Sequence, residues 1–537
     1  MDQKQIFSKC KELGCCDACG LRYLGIRNPK AYENAKEFAL KFQDKPVATD
    51  GASSSTEKEA VETNNTTVSN GDSPPNKKHK GNPCVTCLGL LQEEVWPECN
   101  KKVKELLDKK RYECTTFACA LSAPIVTILR ERVVSLRLSD ACKDYDAKVL
   151  TPLKEAWKWS FGTQLATYVG INLDAGHLSP LLVTLHMEYP DDLQELEVLK
   201  TLSPTLFESR SQQRKRFTVE FTRRSVEQAL EGVTLEALEA LPGRGEGIMA
   251  VGGRVECVSV GCTHAPAYVG GRYIKLSREL PQTPWIINGR RMMESSVQEI
   301  IFEPLAKAYG MSLADSEHRL KFMAAGREDV DVRCLGDGRP FAIEVTDPNR
   351  QLSADELNNI CEEISKSGLV IVKLMVPVTK EDLTDLKKAE ETKRKTYEAL
   401  CIKLAHSEYE TDLDPSAPVT VTDEDIRRLN TFRNTPAEHS ARIVFTQRTP
   451  IRVLHRRPLL VRTRCIYELH AEKVPEHPRL LCIRLVSMAG AYIKELVHGE
   501  CGRTAPALRE SARAPIDLLA LDVSAVLAVW PPTTRLH

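Results

Sequence analysis

Two hydrophobic rhythms alternate along the second half of this chain. In SSVQEIIFEPLAKAYG (295–310), Val297, Ile300 and Ile301 share one helical face behind a capping box of Ser296 and Glu299, and Pro304 is expected to kink or end that helix. A second capping box, Ser353 and Glu356, precedes a Leu357/Ile360/Ile364 face. Gly368 stops that helix, and LVIVKLMVPV (369–378) then reads as a buried strand. GREDVDVRCL and GRPFAIEVTD, separated by Gly336-Asp337-Gly338, look like a β-hairpin. IRVLHRRPLLVRTR (451–464) and RLLCIRLVSMAGAYI (479–493) are further β-rich runs. Closer to the N-terminus, LLQEEVWPECNKKVKELLDKK (90–110) has helical spacing, and RKRFTVEFTRR (214–224) alternates like a strand with positive charge. Helices and hairpins mixed in this way predict an α/β or α+β fold with a mixed, mainly antiparallel sheet. No internal repeat of fixed period is present.

The chain has 537 residues, long enough for three or four ordinary domains. Hydrophobic residues make up 42% and charged residues 28%, values that exclude collagen-like, mucin-like and wholly disordered chains. Neither an apolar run near the ~18 residues of a membrane helix nor a basic-then-apolar leader is found, so an intracellular protein with no membrane partner is expected. Residues 47–81 have almost no apolar side chains and read as a disordered linker. Lys+Arg and Asp+Glu are 74 each, a balance that taken globally argues against a nucleic-acid binder. Regionally the picture changes. Residues 442–464 hold seven Arg and no acidic residue, while 191–197 (DDLQELE) is acidic. Local positive charge of that kind suits phosphate, and Arg also stacks on bases.

The 18 Cys are too few for a disulfide scaffold in a chain this long. Two pairs have metal-ligand spacing: Cys16-x-x-Cys19 and Cys84-x-x-Cys87, one on each side of the linker. Zinc favours four thiolates in a tetrahedron, and the intervening chain adds only a logarithmic entropy cost. A structural zinc site is expected, with Cys10, Cys15 and Cys99 as competing thiols and the choice between Cys15 and Cys16 left open. GRGEG (243–247) lacks the Lys-Ser/Thr of a phosphate loop and reads as a connection. PPNKKHK (74–80) is either a weak nuclear import signal or a solubilising part of the linker; residence in both nucleus and cytoplasm is expected.

In GREDVDVR (326–333), an extended backbone puts Asp329 and Asp331 on one face, and Glu344 on the returning strand could join them. That set suits a metal-dependent nuclease, and also a plain solvated sheet edge. Three further segments share its region: KRKTYEAL with Lys393, Arg394, Lys395 and Tyr397, AGAYIKELVHG with Tyr492, Lys494 and Leu496, and the Arg-rich run. Together they resemble a known family. G-R-x-D at 326–329, K-x-Y at 395–397 and Y-I-K-x-L at 492–496 resemble the three motifs of pseudouridine synthases. RYIKLSRELPQTPWIINGRR, GREDVDVR, GRPFAIEV, TPIRVLHRRPL and YIKELVHGECGRT, in that order, resemble the Pus-ten family of tRNA pseudouridine synthases. The paired CxxC knuckles before an RNA-binding, THUMP-like module fit the same family. The resemblance is dense from about Tyr268 to Pro532 and sparse from about Trp96 to Gly253.

The resemblance implies an α+β chain with four regions. Residues 1–46 and 82–95 form a zinc-binding segment with Cys16, Cys19, Cys84 and Cys87, and 47–81 a linker. Residues 96–264 form a THUMP-like α/β RNA-binding module, and 265–537 a pseudouridine synthase catalytic domain whose mixed, mainly antiparallel sheet is flanked by helices. It further implies isomerisation of uridine to pseudouridine in the TΨC arm of tRNA, at positions 54 and/or 55, by a monomer with no organic cofactor and no catalytic metal; other structured RNAs remain open as substrates. Asp329 is the implied nucleophile and Lys494 its cationic partner. Tyr397 is the implied stacking platform, whose hydroxyl could serve the C5 proton transfer. Tyr492 and Leu496 would wall the pocket, Arg327 would contact the flipped nucleotide or its phosphate, and Arg452, Arg456 and Arg457 would track the RNA backbone. Two alternatives accompany this reading: a non-catalytic structured-RNA-binding protein with a synthase fold, and a nuclease using Asp329, Asp331 and Glu344.

Overall fold

The computed structural model describes residues 2–43, 82–174, 176, 178–212, 219–241, 250–392, 394–414, 416–434 and 442–532. The proposed linker 47–81, PPNKKHK and GRGEG lie outside the described residues. The chain divides into two compact units, Met1–His264 and Ala265–His537. Among the described residues, no helix is long and apolar enough to cross a membrane.

The first unit is built on a four-stranded sheet of β1 (Thr116–Ser122), β2 (Asn172–Leu173), β3 (Leu181–Glu188) and β4 (Glu256–His264), in the order β2-β1-β3-β4. β1 runs parallel to both β2 and β3, and β4 is antiparallel to β3. Period-two alternation buries Leu181, Val183, Leu185 and Met187 on one face of β3. The helix predicted over 90–110 spans Trp96–Lys110, with Pro97 in its first turn, where a missing N–H costs nothing. The cysteine-bearing N-terminal helices do not form a separate body. Phe7, Tyr23 and Tyr32 share one continuous core with Leu129, Val133, Trp157 and Phe161. The strand expected at 214–224 is absent from its described part: Thr222 and Ser225 form a capping box and start the helix Arg223–Ala229.

The second unit contains β5 (Ala267–Lys275), a short hairpin of β6 (Ile286–Ile287) and β7 (Arg290–Arg291), β8 (Leu320–Ala324), β9 (Arg333–Val345), β10 (Val370–Val378), β11 (Lys395–Lys403), β12 (Ile443–Arg448), β13 (Val461–Lys473), β14 (Leu480–Ser487), β15 (Thr504–Ala505) and β16 (Ile516–Val526). Ten of these form one sheet in the order β10-β5-β9-β16-β11-β14-β13-β12-β15, with β8 on the side of β9. Every pair is antiparallel except β9 with β16. The helices Val297–Ala308 and Ala354–Ser365 bury Ile301, Leu305, Leu357, Ile360 and Ile364 with Phe341 and Ile343 of β9. A second core gathers Leu429, Ile483, Leu485 and Leu496 around the other half of the sheet.

Three local expectations change. Pro304 stays inside its helix; Val297, Ile301 and Leu305 are wholly buried around it, at about 1.5–3 kcal/mol per apolar side chain, which outweighs the lost backbone bond. Ser296 does accept from the Glu299 amide, but the Glu299 carboxylate turns to Arg291 and the Ser296 hydroxyl. The hairpin at Gly336-Asp337-Gly338 does not exist. Both glycines have positive φ inside the single strand β9, which leaves parallel pairing with β16 and then pairs antiparallel with β5. Asp329 and Asp331 therefore lie on the connection between β8 and β9, not on a strand.

Candidate active site

The connection 325–332 has no regular secondary structure, so its polar backbone depends on side chains brought from elsewhere. Arg339 Nη1 donates to the Ala325 carbonyl (2.9 Å), Gln282 Nε2 to Gly326 (3.0 Å), Lys275 Nζ to Asp329 (3.1 Å) and Val330 (2.7 Å), and Arg278 Nη1 to Asp331 (3.0 Å). Beneath it sits a buried cluster. Arg339 pairs with the Glu328 carboxylate at 2.6 Å, Tyr273 donates to the same carboxylate at 2.8 and 3.0 Å, and Gln282 donates to the Tyr273 hydroxyl at 2.8 Å. Gly326 is required by its backbone: its φ is +84°, a conformation that other residues rarely adopt.

This loop forms one wall of a cavity of ≈ 580 Å³, which is also lined by Tyr397, Arg452, Arg456, Arg457, Arg462, Arg464, Tyr492, Ile493 and Lys494. The Asp329 carboxylate faces three cations: Arg452 Nη1 at 2.6 Å, Arg456 Nη2 at 3.4 Å and Lys494 Nζ at 3.9 Å. Lys494 is bonded mainly to Asp331, at 2.6 and 2.7 Å. The expected Lys494–Asp329 ion pair is present but long, and Arg452, assigned by resemblance to the RNA backbone, makes the closer bond to Asp329 while Lys494 bonds Asp331 more tightly. Arg452 is itself fixed by Glu495, a buried carboxylate 2.7 Å from its Nε. Burial works against the Arg452 charge, but Glu495 and Asp329 more than offset it and hold the guanidinium above its usual range. For Asp331, burial is outweighed by Lys494, so its pKa falls below the usual carboxylate value.

Tyr397, on β11, is buried at the cavity wall, and burial pushes its hydroxyl up to about 12. Tyr492 caps the helix Ile493–His498 and is locked by Gln447, which donates to its carbonyl and accepts from its amide, both at 2.9 Å. Leu496 does not wall the cavity. One turn further along that helix it is fully buried in the core, and Ile493 lines the cavity instead. Arg327, Arg457, Arg462 and Arg464 line the cavity with no carboxylate partner among the described residues. Glu344 lies on β9 and pairs with Lys321 of β8; Asp329, Asp331 and Glu344 do not gather, which removes the geometry a nuclease reading needs.

In the first unit, the sulfurs of Cys16, Cys19, Cys84 and Cys87 lie within 4.8 Å of one another and could hold a metal ion. Sγ of Cys16 and of Cys87 are 3.8 Å apart, the edge of a tetrahedron with zinc–sulfur bonds of about 2.3 Å. The gathered set includes Cys16 and not Cys15, whose Sγ lies 3.3 Å from Thr86 Oγ1 and also interacts with Cys10 and Cys84. Arg22, fully buried, donates to Cys19 Sγ (3.7 Å) and to the Thr151 carbonyl (2.9 Å) and pairs with Glu131. Cys99 is not a ligand; it interacts with Cys257.

Spacing did not find Glu328, Arg339, Tyr273, Lys275, Gln282 or Glu495. The available signal was indirect: Tyr273, Lys275, Arg278 and Gln282 all fall within RYIKLSRELPQ, polar positions in a run that would otherwise pack as strand and loop.

The family description "Pus10, C-terminal" matches residues 268–527, and "Eukaryotic Pus10, N-terminal" matches 84–241. The tRNA pseudouridine synthase Pus10 of Xenopus laevis is 32% identical over 552 residues, covering 97% of this chain and 96% of its own. That of Homo sapiens is 32% identical over 471 residues, covering 87% of this chain and 82% of its own. Among solved structures, a Cbf5-Nop10-Gar1 complex aligns over 47% of each chain at 16% identity and a TM-score of 0.24.

Proposed function

The chain belongs to the Pus10 family of tRNA pseudouridine synthases, and on that premise we propose that it isomerises uridine in the TΨC arm of tRNA, at position 54, 55 or both, with Asp329 as the nucleophile. The observation that carries this reading is the placement of the Asp329 carboxylate at a cavity wall, on a side-chain-braced loop, facing Arg452, Arg456 and Lys494. Those cations orient the carboxylate toward the cavity, where the reaction needs a fixed nucleophile. Uracil must leave C1′ and return through C5, with no net redox change. Asp329 either attacks covalently or removes a proton next to the glycosidic bond; both roles require it ionised and fixed.

The target base must leave its stack, and Tyr397 offers the platform for it. With its hydroxyl at about 12, Tyr397 stays neutral at neutral pH and serves as stacking surface and hydrogen-bond donor, not as a phenolate base. Tyr492 and Ile493 also line the cavity. Arg327, Arg457, Arg462 and Arg464 are the cations left for RNA phosphates, whereas Arg452 and Arg456 are committed to Asp329 in the free protein. Cys16, Cys19, Cys84 and Cys87 would hold a structural zinc, whose four thiolates leave no position for a reacting water. The first unit would then supply RNA contacts. Mapping pseudouridine in tRNA incubated with wild type and with Asp329→Ala tests the reading: the wild type makes product, and the variant binds tRNA without making it.

A further inference from the structure

Four side chains of the segment 273–282 end on the Asp329 loop without touching the cavity chemistry. Tyr273 grips Glu328, Gln282 bonds the Gly326 carbonyl, and Arg278 bonds the Asp331 carbonyl. Lys275 is the centre of this brace. It is wholly buried, and its Nζ donates to three backbone carbonyls, those of Leu280 (2.7 Å), Asp329 (3.1 Å) and Val330 (2.7 Å). A buried lysine ordinarily meets a carboxylate; this one meets only peptide oxygens among its hydrogen-bond partners, and two of the three belong to the proposed nucleophile and its neighbour. An ammonium has three N–H groups for those three acceptors. The neutral amine has two and turns a lone pair toward the third, so the loop's attachment depends on the proton.

We propose that Lys275 is the positioning residue for Asp329: its ammonium fixes the backbone on which the nucleophile stands, and catalysis requires Lys275 in its protonated form. This rests on the reading of Asp329 as the nucleophile. Arg452 and Arg456 orient the carboxylate from the cavity side, and Lys275 holds the same residue's main chain from the core side. Burial pulls Lys275 down to about 8, within the range of an assay. The titratable groups that face it are Glu328, Asp329 and Asp331 of the loop and Cys334 of β9, all of which favour its charge. Cys334 is pushed up to about 11 by burial and Asp331 is held low, so neither titrates near 8.

The test uses the full chain with a tRNA transcript and follows rate and KM from about pH 6.5 to about pH 9.5, a range that brackets a lysine lowered to about 8. Wild type should lose rate above about pH 8 in a one-proton step, with little change in KM. Lys275→Met should lose about 100-fold or more in rate at neutral pH, the scale of a 1 Å misplacement, with KM within about threefold. Lys275→Arg, which keeps its charge throughout, should retain part of the rate and abolish the alkaline fall. If Lys275→Met misfolds, the Lys275→Arg profile still decides. An alkaline fall shared by wild type and Lys275→Arg would overturn the proposal, as would a Lys275→Met rate within about threefold of wild type. An active Asp329→Ala variant would instead overturn the reading of Asp329, whatever the Lys275 profiles show.

Discussion

Two loops face the same cavity and are built on opposite principles. The loop 325–332 has no secondary structure, yet Arg339, Gln282, Lys275 and Arg278 bond its carbonyls, and Glu328 anchors it in the core. The loop 449–460 is closed at its neck by Thr449, which bonds the carbonyls of Pro458 and Leu460, and anchored by buried Val453. Arg452 and Arg456 reach from it to Asp329, but it leaves Ile451, Leu454 and Leu459 exposed beside Arg457. The first loop invests its polar groups in holding one carboxylate still. The second leaves apolar and cationic groups toward solvent, the composition of a surface that meets a large anionic partner. Lining a cavity does not define a role; what each loop's own groups are already bonded to does.

The sharpest way to break this contrast is to attack the anchor of the braced loop. Glu328→Leu leaves Arg339 buried beside Tyr273 without its carboxylate, which should cost about 3–5 kcal/mol of stability and abolish product. A thermal melt beside the product assay measures both, and a variant with wild-type melting and rate would show that the brace is ornamental. Next in size is the metal site. Cys16→Ser should lose most of the bound zinc and expose residues of the first unit to protease, whereas Cys15→Ser should keep zinc at wild-type stoichiometry; metal analysis separates the two.

The solvent-facing loop should respond more gently. Arg457→Ala should raise KM by about 3–10-fold, leave the rate at saturation nearly unchanged, and lower the salt slope of tRNA binding by about one. A fall in saturating rate without a change in KM would reverse the roles given to the two loops. The smallest effect is a sign. Lys275 holds its proton to about 8 in the folded protein but to about 10.4 in the unfolded chain, which therefore binds more protons in that window. The contribution of Lys275 to stability should therefore rise with pH between about 8 and about 10.4 while the rate falls; comparing wild-type and Lys275→Arg denaturation midpoints isolates it.

Much of this architecture was legible in the sequence because its signals are local. The Ser353–Glu356 capping box, the strand at 369–378 and the two CxxC turns each depend on residues within a few positions of one another. The misreadings share a different cause. Gly336-Asp337-Gly338 has the composition of a turn, but the partners on both sides of β9 come from β5 and β16, far away in sequence, and they keep the strand continuous. The motifs bring Lys494 to Asp329, and that ion pair forms, but they carry no sign that Asp331, two positions on, stands closer to the same ammonium. Leu496 was placed in the cavity by its motif position, although the helix turns it into the core. The brace from Lys275, Arg278 and Gln282 joins residues about fifty positions apart through backbone carbonyls, which carry no side-chain signature to read.

The account depends most on Asp329, and the most direct measurement is the pseudouridine content of a tRNA transcript after incubation with wild type and Asp329→Ala, with tRNA affinity recorded for both. Pseudouridine in the TΨC arm with wild type, and none with a variant that binds tRNA as tightly, is the predicted result. Pseudouridine formed by Asp329→Ala, or none formed by wild type at saturating tRNA, would contradict it.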